Sequence, residues 1–223
     1  MERYIDLKAV SDGKLYGIND MVKAGCGDCQ GCSDCCQDMG ESILVDPYDV
    51  YRLTTNLECT FDELLESCLE LHMVDGVTLP NMRMVGSQKR CPFLNAEGRC
   101  NIHKIRPGIC RLFPLGRCYE DHSFKYFLQV NECKKEPKTK VKIKNWMDTP
   151  DIKKYEQYIV DWHYFLKDVQ KILEGISNDK LVQRMHVYIL ERFFRVPYKK
   201  EVDFYEQFYQ RLALAKRYAG IAG

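Results

Sequence analysis

Long apolar runs and an excess of charge are both missing from this sequence. No stretch approaches the roughly 18–20 apolar residues that span a bilayer, and the first residues lack the apolar core of a secretory signal. The 223 residues hold 33 Lys and Arg against 32 Asp and Glu, a formal charge of +1. That balance gives no global electrostatic reason to expect nucleic acid or a membrane surface as the partner. We therefore expect a cytoplasmic protein that binds neither.

The common catalytic motifs are missing as well. The chain has no G-x-G-x-x-G, no phosphate loop, no H-E-x-x-H, no G-x-S-x-G and no C-x3-C-x2-C of radical-SAM enzymes. A nicotinamide-dependent or ATP-dependent enzyme of the usual kinds is therefore not expected. The sequence leaves open whether the protein catalyses a reaction.

Cysteine is missing from residues 134–223, yet there are 12 cysteines before them. A fold stabilised by disulfides would rarely leave so long a stretch without a cross-link. In a reducing compartment, clustered cysteines bind metal or carry out redox chemistry more often than they pair. We assign Cys59 and Cys68 to the core, because Cys68 shares the apolar face of a predicted helix.

Five thiols open the cysteine region in the run CGDCQGCSDCC, residues 26–36. Two ligand registers fit this run. Cys26, Cys29, Cys32 and Cys36 reproduce the C-x2-C-x2-C-x3-C spacing of bacterial ferredoxins. Cys29, Cys32, Cys35 and Cys36 form the alternative, CxxCxxCC. Because neighbouring side chains tend to diverge, we expect Cys35 and Cys36 to point at two centres or at two irons of one cluster.

A second group of thiols lies in CPFLNAEGRCNIHKIRPGIC, residues 91–110. Cys91, Cys100 and Cys110 are presented there from loops and turns rich in Pro and Gly. Arg106 and Arg111 flank Cys110. Thiolate-bound metal carries negative charge, so we expect both arginines to offset that charge and to donate hydrogen bonds to sulfur.

These motifs, followed by RPGICRLFPLGR and a lone Cys133, resemble the YkgJ-type CxxCxxCC cysteine-cluster family over roughly residues 26–135. That family is a zinc- or iron-chelating domain, and flagellin lysine N-methylase is a longer relative. The resemblance implies an eight-cysteine metal-binding set: Cys29, Cys32, Cys35, Cys36, Cys91, Cys100, Cys110 and Cys133. This chain adds Cys26 and Cys118, so ten thiols compete for about eight places.

Thiolate ligands select zinc, copper(I) or iron–sulfur clusters. Structural zinc usually uses two separated CxxC knuckles, whereas dense CxxCxxC runs are typical of cubane clusters. The sequence therefore favours a 4Fe-4S protein with a redox or electron-transfer role and a redox or protein partner of unknown identity. Two alternatives stay open. One is a zinc- or iron-chelating protein holding Zn²⁺, and the other, from the resemblance alone, is a metal-dependent protein-modifying enzyme similar to flagellin N-methylase.

Composition changes near Pro150, which predicts two regions. Residues 1–148 are expected to form the cysteine-cluster metal-binding domain, with helices starting after Asp46 and at Thr60. The short apolar runs SILVD and VTLP are expected to be brief strands or extended connectors. The lysine-rich residues 134–144 are expected to be a solvated edge strand or linker.

Residues 149–223 are expected to form a helical region packed on the first as one unit. We predict a helix from Ile152 to near Gly175, a second from Asn178 to Pro197, and a third from about Tyr198 to Ala219. The residues predicted to face inward on the last two helices are Leu181, Val182, Met185, Ile189, Phe193, Val202, Tyr205, Tyr209, Leu212 and Ala215. The fold class is therefore predicted to be mainly α, with an irregular, loop-rich metal-binding region: a small α+β cysteine-cluster domain packed against C-terminal helices.

Overall fold

The computed structural model describes residues 6–221, which form a mixed α+β fold. The helices of this part of the chain are α1 (Leu7–Val10), α2 (Pro47–Leu57), α3 (Phe61–Ser67), α4 (Gly108–Leu112), α5 (Ile143–Met147), α6 (Ile152–Glu174), α7 (Asp179–Leu190) and α8 (Phe204–Ala219). The strands are β1 (Met21–Gly25), β2 (Leu69–Val74), β3 (Val77–Met82), β4 (Leu115–Glu120), β5 (Ser123–Leu128) and β6 (Thr139–Lys142). They pair antiparallel in three two-stranded sheets, β1 with β6, β2 with β3 and β4 with β5.

The described residues divide into two compact units, each built from two stretches of chain. We call residues 6–43 and 84–160 the cysteine unit, and residues 44–83 and 161–221 the helical unit. The predicted division after residue 148 stays a prediction. None of the helices within residues 6–221 combines the length and the apolar content needed to cross a bilayer.

Two helices of the helical unit begin at reciprocal caps, as the sequence predicts. The Asp46 carboxylate accepts from the Asp49 amide at 2.9 Å, and the Asp49 carboxylate accepts from the Asp46 amide at 3.3 Å. The Thr60 hydroxyl accepts from the Glu63 amide at 3.2 Å, and Glu63 accepts from the Thr60 amide at 2.7 Å. Each exchange satisfies backbone donors that a helix start leaves without intrahelical partners.

The three C-terminal helices are present, and the predicted bounds of α6 are confirmed. The start of α8 lies at Phe204 rather than near Tyr198, because the Asp203 side chain caps the helix by accepting from the Glu206 amide at 3.1 Å. Before that cap, the buried Arg211 donates to backbone carbonyls of the segment that precedes α8, those of Val196 at 2.7 Å and Pro197 at 2.8 Å.

The predicted inward faces of α7 and α8 are correct except at two positions. Leu181 is 47% exposed and Val202 is 37% exposed. Leu181 lies in the first turn of α7, where residues 177–181 are all exposed, and Val202 precedes α8. Inside the unit, aromatic rings pack closely: the Trp162 and Phe193 ring centroids, for example, are 4.8 Å apart.

The strands of the cysteine unit form a ribbon and a hairpin. The ribbon of β1 and β6 turns Val22 and Ala24 inward, and both are buried. The lysine-rich segment supplies β6, which confirms the predicted edge strand. In the β4–β5 hairpin, Gly116 lies opposite Phe127, whose ring occupies the space that a side chain at Gly116 would need.

The two short apolar runs behave differently. VTLP lies within β3, as predicted. SILVD contributes only an isolated bridge, between Leu44 and Asn81, so of the two predicted alternatives it is a connector and not a strand. The run has one pairing partner at one position, and α2 begins immediately afterwards at Pro47.

Candidate metal centre

Ten of the twelve cysteines belong to the cysteine unit. The other two, Cys59 and Cys68, belong to the helical unit, where Cys68 is 3% exposed directly after α3. Burial raises the pKa of the Cys68 thiol, as expected for a packed, neutral side chain. Cys68 is thus a core thiol as predicted, whereas Cys59 is only partly buried.

The loop that carries the first thiols is wound tightly. The Gln30 amide donates to the Gly27 carbonyl at 3.2 Å, and the Cys32 amide donates to the Cys29 carbonyl at 3.2 Å. Gly27, Asp28 and Cys29 all have positive φ, at 63°, 56° and 57°. A left-handed conformation suits glycine and is tolerated by Asp, but it costs about 1–2 kcal/mol for most other residues. Cys29 is therefore held in a backbone conformation that its surroundings must stabilise.

The second thiol segment is bound to this loop by hydrogen bonds. The Cys91 amide donates to the Cys36 carbonyl at 2.8 Å. The Arg99 guanidinium donates to the Asp28 carboxylate at 2.7 Å and also to the Asp28 carbonyl. Sequence reasoning missed the link between Arg99 and Asp28, because no local pattern connects residues so far apart. It joins the two thiol segments at the strained turn.

The thiols of the first run converge in two pairs. The Sγ atoms of Cys26 and Cys29 lie 3.7 Å apart, and Cys26 is 5% exposed. The Cys36 thiol donates to Cys35, and this hydrogen bond lowers the pKa of Cys35 to about 7 although burial opposes it. The expectation that Cys35 and Cys36 point at two centres or at two irons of one cluster stays a prediction. Both cysteines lie in a 3-10 turn, Asp34–Cys36, which brings consecutive side chains round more tightly.

Electrostatic interactions connect Cys35 and Cys36 with thiols of the second segment, and we call these thiols the first subset. The hydrogen bond to Cys35 raises the pKa of Cys36, burial raises it further, and the charges of Cys35, Cys91 and Cys110 add to the effect. Burial is the main cause of the raised pKa of Cys100, to which the charge of Cys35 contributes. Cys35 therefore lies among thiols from both segments.

A second subset is centred on Cys26. Burial raises the pKa of Cys29 to about 12, assisted by the neighbouring Cys26 and by Cys35. Burial also raises the pKa of Cys133, and the charges of Cys26 and Cys32 act in the same direction. Because Cys35 interacts with Cys29 as well as with Cys36, the two subsets form one continuous network.

The two predicted arginines differ in position. The charge of Arg106 lowers the pKa of Cys29, Cys35 and Cys100, after the larger effects of burial and hydrogen bonding. One Nη of Arg106 lies 3.0 Å from Nδ1 of His103, while its buried Nε has no hydrogen-bond partner among the described residues. Arg111 instead packs its buried guanidinium over the ring of Tyr155, 5.6 Å from the centroid.

The remaining predicted ligands lie on regular elements. Cys110 is on α4, directly before Arg111. Cys118 is on β4, opposite Lys125 of the hairpin. Cys118 is thus carried by a strand, whereas the thiols of residues 26–36 are carried by a loop and a short 3-10 turn.

The donor set fits a soft metal. Partly buried thiols that lie close together cannot all ionise unless a cation offsets their charge, and thiolate sulfur prefers zinc, copper(I) or iron–sulfur centres. The buried Nε of Arg106 is also a donor in want of an acceptor, a role that an anionic sulfur would fill. Within residues 6–221, no three Cys, His, Asp or Glu side chains converge in the arrangement that a single ion requires.

Clustered thiols of this kind define a thiolate metal-binding protein. The chain belongs to the CxxCxxCC family, described as a putative zinc- or iron-chelating domain, whose family model matches residues 28–149. The predicted family is thus confirmed. The matched range includes Cys118 and Cys133 and leaves out Cys26. Comparison with curated proteins and with solved structures gave no match.

Proposed function

We propose that the cysteine unit holds an iron–sulfur cluster, most simply of the 4Fe-4S type, and serves in electron transfer. The observation that carries this proposal is the spread of the thiols. Thiols of both segments lie near one another: the Cys91 amide donates to the Cys36 carbonyl at 2.8 Å, and the charges of Cys91 and Cys110 help to raise the pKa of Cys36. In a polynuclear cluster each thiolate binds a different iron, so its ligands are distributed around a larger volume.

The ligands would come from the predicted set, Cys29, Cys32, Cys35, Cys36, Cys91, Cys100, Cys110 and Cys133, with Cys26 beside Cys29. When bound, the cluster supplies one-electron exchange. The chain holds the sulfurs on tight turns, and Arg106 supports the proposal because its buried Nε has no hydrogen-bond partner among the described residues and its charge lowers the pKa of Cys29, Cys35 and Cys100. Hydrogen bonds and charge near the sulfurs are among the features that set the reduction potential of such centres.

A zinc centre is the second candidate, and one distance favours it. With Zn–S bonds of about 2.3 Å, two sulfurs on a tetrahedral ion lie about 3.8 Å apart. The Sγ atoms of Cys26 and Cys29 lie 3.7 Å apart. This pair could therefore bind one ion without rearrangement, in a chelating or structural site.

Metal content decides between the two candidates. The protein is purified without oxygen, and iron, acid-labile sulfide and zinc are quantified, with EPR spectra before and after dithionite. The proposal expects iron and sulfide in comparable amounts and an EPR signal that responds to reduction. A colourless, iron-free and zinc-replete protein would overturn it and leave the zinc centre.

The ligand register is tested with single Cys to Ser variants. C26S and C118S are compared with C59S, a matched control in the helical unit. If Cys26 is a ligand, C26S loses metal while C59S keeps it. Full metal content in C26S would remove Cys26 from the set.

A further inference from the structure

The ribbon of β1 and β6 presents a row of lysines on its outward face. Side chains alternate along a strand, so the buried Val22 and Ala24 leave Lys23 pointing outward. On β6, Lys140 and Lys142 are exposed in the same way. We call Lys23, Lys140 and Lys142 the lysine ribbon.

These lysines are a local concentration of charge in a nearly neutral chain. Residues 134–144 hold six lysines and one glutamate, whereas the whole chain carries +1. Glu136 is already engaged, since its carboxylate accepts from the Lys138 ammonium at 3.1 Å. Within residues 6–221, no lysine of the ribbon forms a direct ion pair with a carboxylate, although the charge of Lys23 contributes to the lowered pKa of Glu136 after the larger effects of Lys138. Like charges on neighbouring strands destabilise a sheet slightly, so folding alone does not account for them.

The lysine ribbon adjoins the thiols along the chain. β1 ends at Gly25, directly before the buried Cys26, and Cys133 precedes β6 by a short segment. A partner bound to the ribbon would thus lie beside the Cys26 and Cys133 side of the thiol network.

We propose that the lysine ribbon is a docking surface for an acidic electron-carrier protein. This inference rests on the proposed electron-transfer function. Complementary charge speeds and orients weak encounters between proteins, and its effect depends on salt. Nucleic acid is the less favoured polyanion, because the outward face of the ribbon has no aromatic side chain on which a base could stack.

The test measures binding to a plant-type ferredoxin as an acidic probe, by isothermal calorimetry over a series of salt concentrations. The triple variant K23E/K140E/K142E is compared with K153E/K180E/K200E. The control changes the net charge equally at three exposed lysines outside the ribbon. K23Q/K140Q/K142Q neutralises the ribbon without reversing it, and far-UV circular dichroism checks that each variant is folded.

The proposal expects wild type to bind the probe and to weaken as salt rises. The ribbon reversal should raise Kd by about tenfold or more, the glutamine variant by less, and the control by about twofold at most. Equal weakening in both reversal variants, or no binding by wild type, would overturn the docking surface. Tighter binding of a single-stranded oligothymidylate, lost in the same variant, would overturn the assignment to a protein partner.

Failure of this inference is distinguishable from failure of the proposed function. Docking is read as a dissociation constant, while the function is tested by iron and sulfide content on the same preparation. A protein without iron that still loses probe binding on ribbon reversal would keep the docking surface and overturn the cluster.

Discussion

Removing the Arg99 side chain should weaken metal binding much more than it weakens the fold. In R99M, the turn that carries Cys29 loses the guanidinium that holds it against the second thiol segment. Arg99 donates twice to Asp28, once to the carboxylate and once to the backbone carbonyl. Methionine keeps a similar apolar stem, and the Arg99 amide can still donate to Asn95.

The size of the effect follows from these contacts. The Asp28 side chain is 63% exposed and that of Arg99 33%, so the ion pair itself contributes only about 0.2–1 kcal/mol. A hydrogen bond from a charged donor to the Asp28 carbonyl adds about 1.5 kcal/mol. The total of about 2 kcal/mol is comparable with the cost of about 1–2 kcal/mol for the left-handed conformation of Cys29.

Without the link, the Cys29 turn is expected to relax in the metal-free protein. The metal must then restore the turn on binding, which lowers its affinity by the lost free energy. At about 1.4 kcal/mol per factor of ten, a loss of about 2 kcal/mol weakens binding about 30-fold. The measurement is metal retention against increasing chelator, together with urea unfolding of the metal-free protein.

Two further variants make this test specific. K89M removes an exposed ion pair of the same unit, Lys89 with Asp38 at 3.4 Å, and should change retention by about twofold at most. D28N keeps the backbone carbonyl as an acceptor and should fall between wild type and R99M. Retention by R99M equal to that of K89M, in folded protein, would refute the reasoning.

Three other changes have defined outcomes. G25A would bring a β carbon to 3.2 Å from the Thr139 carbonyl oxygen and closer still to its hydroxyl, so urea unfolding should show a loss of about 1–3 kcal/mol. R211M leaves three carbonyls without their buried donor and should cost about 3 kcal/mol or more. Burial raises the pKa of Glu156 despite the hydrogen bond donated by Tyr126, so E156Q should stabilise the protein at pH 7 by about 1 kcal/mol or less, and much less at pH 4.

Each of these three has its own check. G17A adds the same methyl group at a glycine of ordinary φ, 3.6 Å from the nearest atom, and should be nearly neutral. R217M removes an exposed arginine from the same helix as Arg211. For Glu156, the direction of the change in stability tests the reasoning. A folded-state pKa above the unfolded value stabilises the folded protein fully below the unfolded pKa, and this stabilisation is lost as the pH rises through the folded-state pKa. A destabilised E156Q at pH 7 would contradict it.

Local spacing in the sequence predicts much of the fold, because caps and turns join residues three or four apart. Asp46 and Thr60 mark helix starts by this rule, and both caps are present. The start of α8 could not be read in the same way. Arg211 occupies the carbonyls of the preceding segment, and its partners lie 14 to 19 residues away.

The same distinction, between contacts local in sequence and contacts between distant segments, applies to the candidate site. The sequence by itself determined the donors, ten thiols in ordered motifs of one family, because cysteine spacing and type are local properties. Only the tertiary structure decided which thiols meet: Cys26 contacts Cys29, while Cys118 stands on a strand. It also showed that the charge of Arg106 acts on Cys35 and that the guanidinium of Arg111 packs over the ring of Tyr155. Such contacts depend on how distant segments pack, and packing is a property of the whole chain.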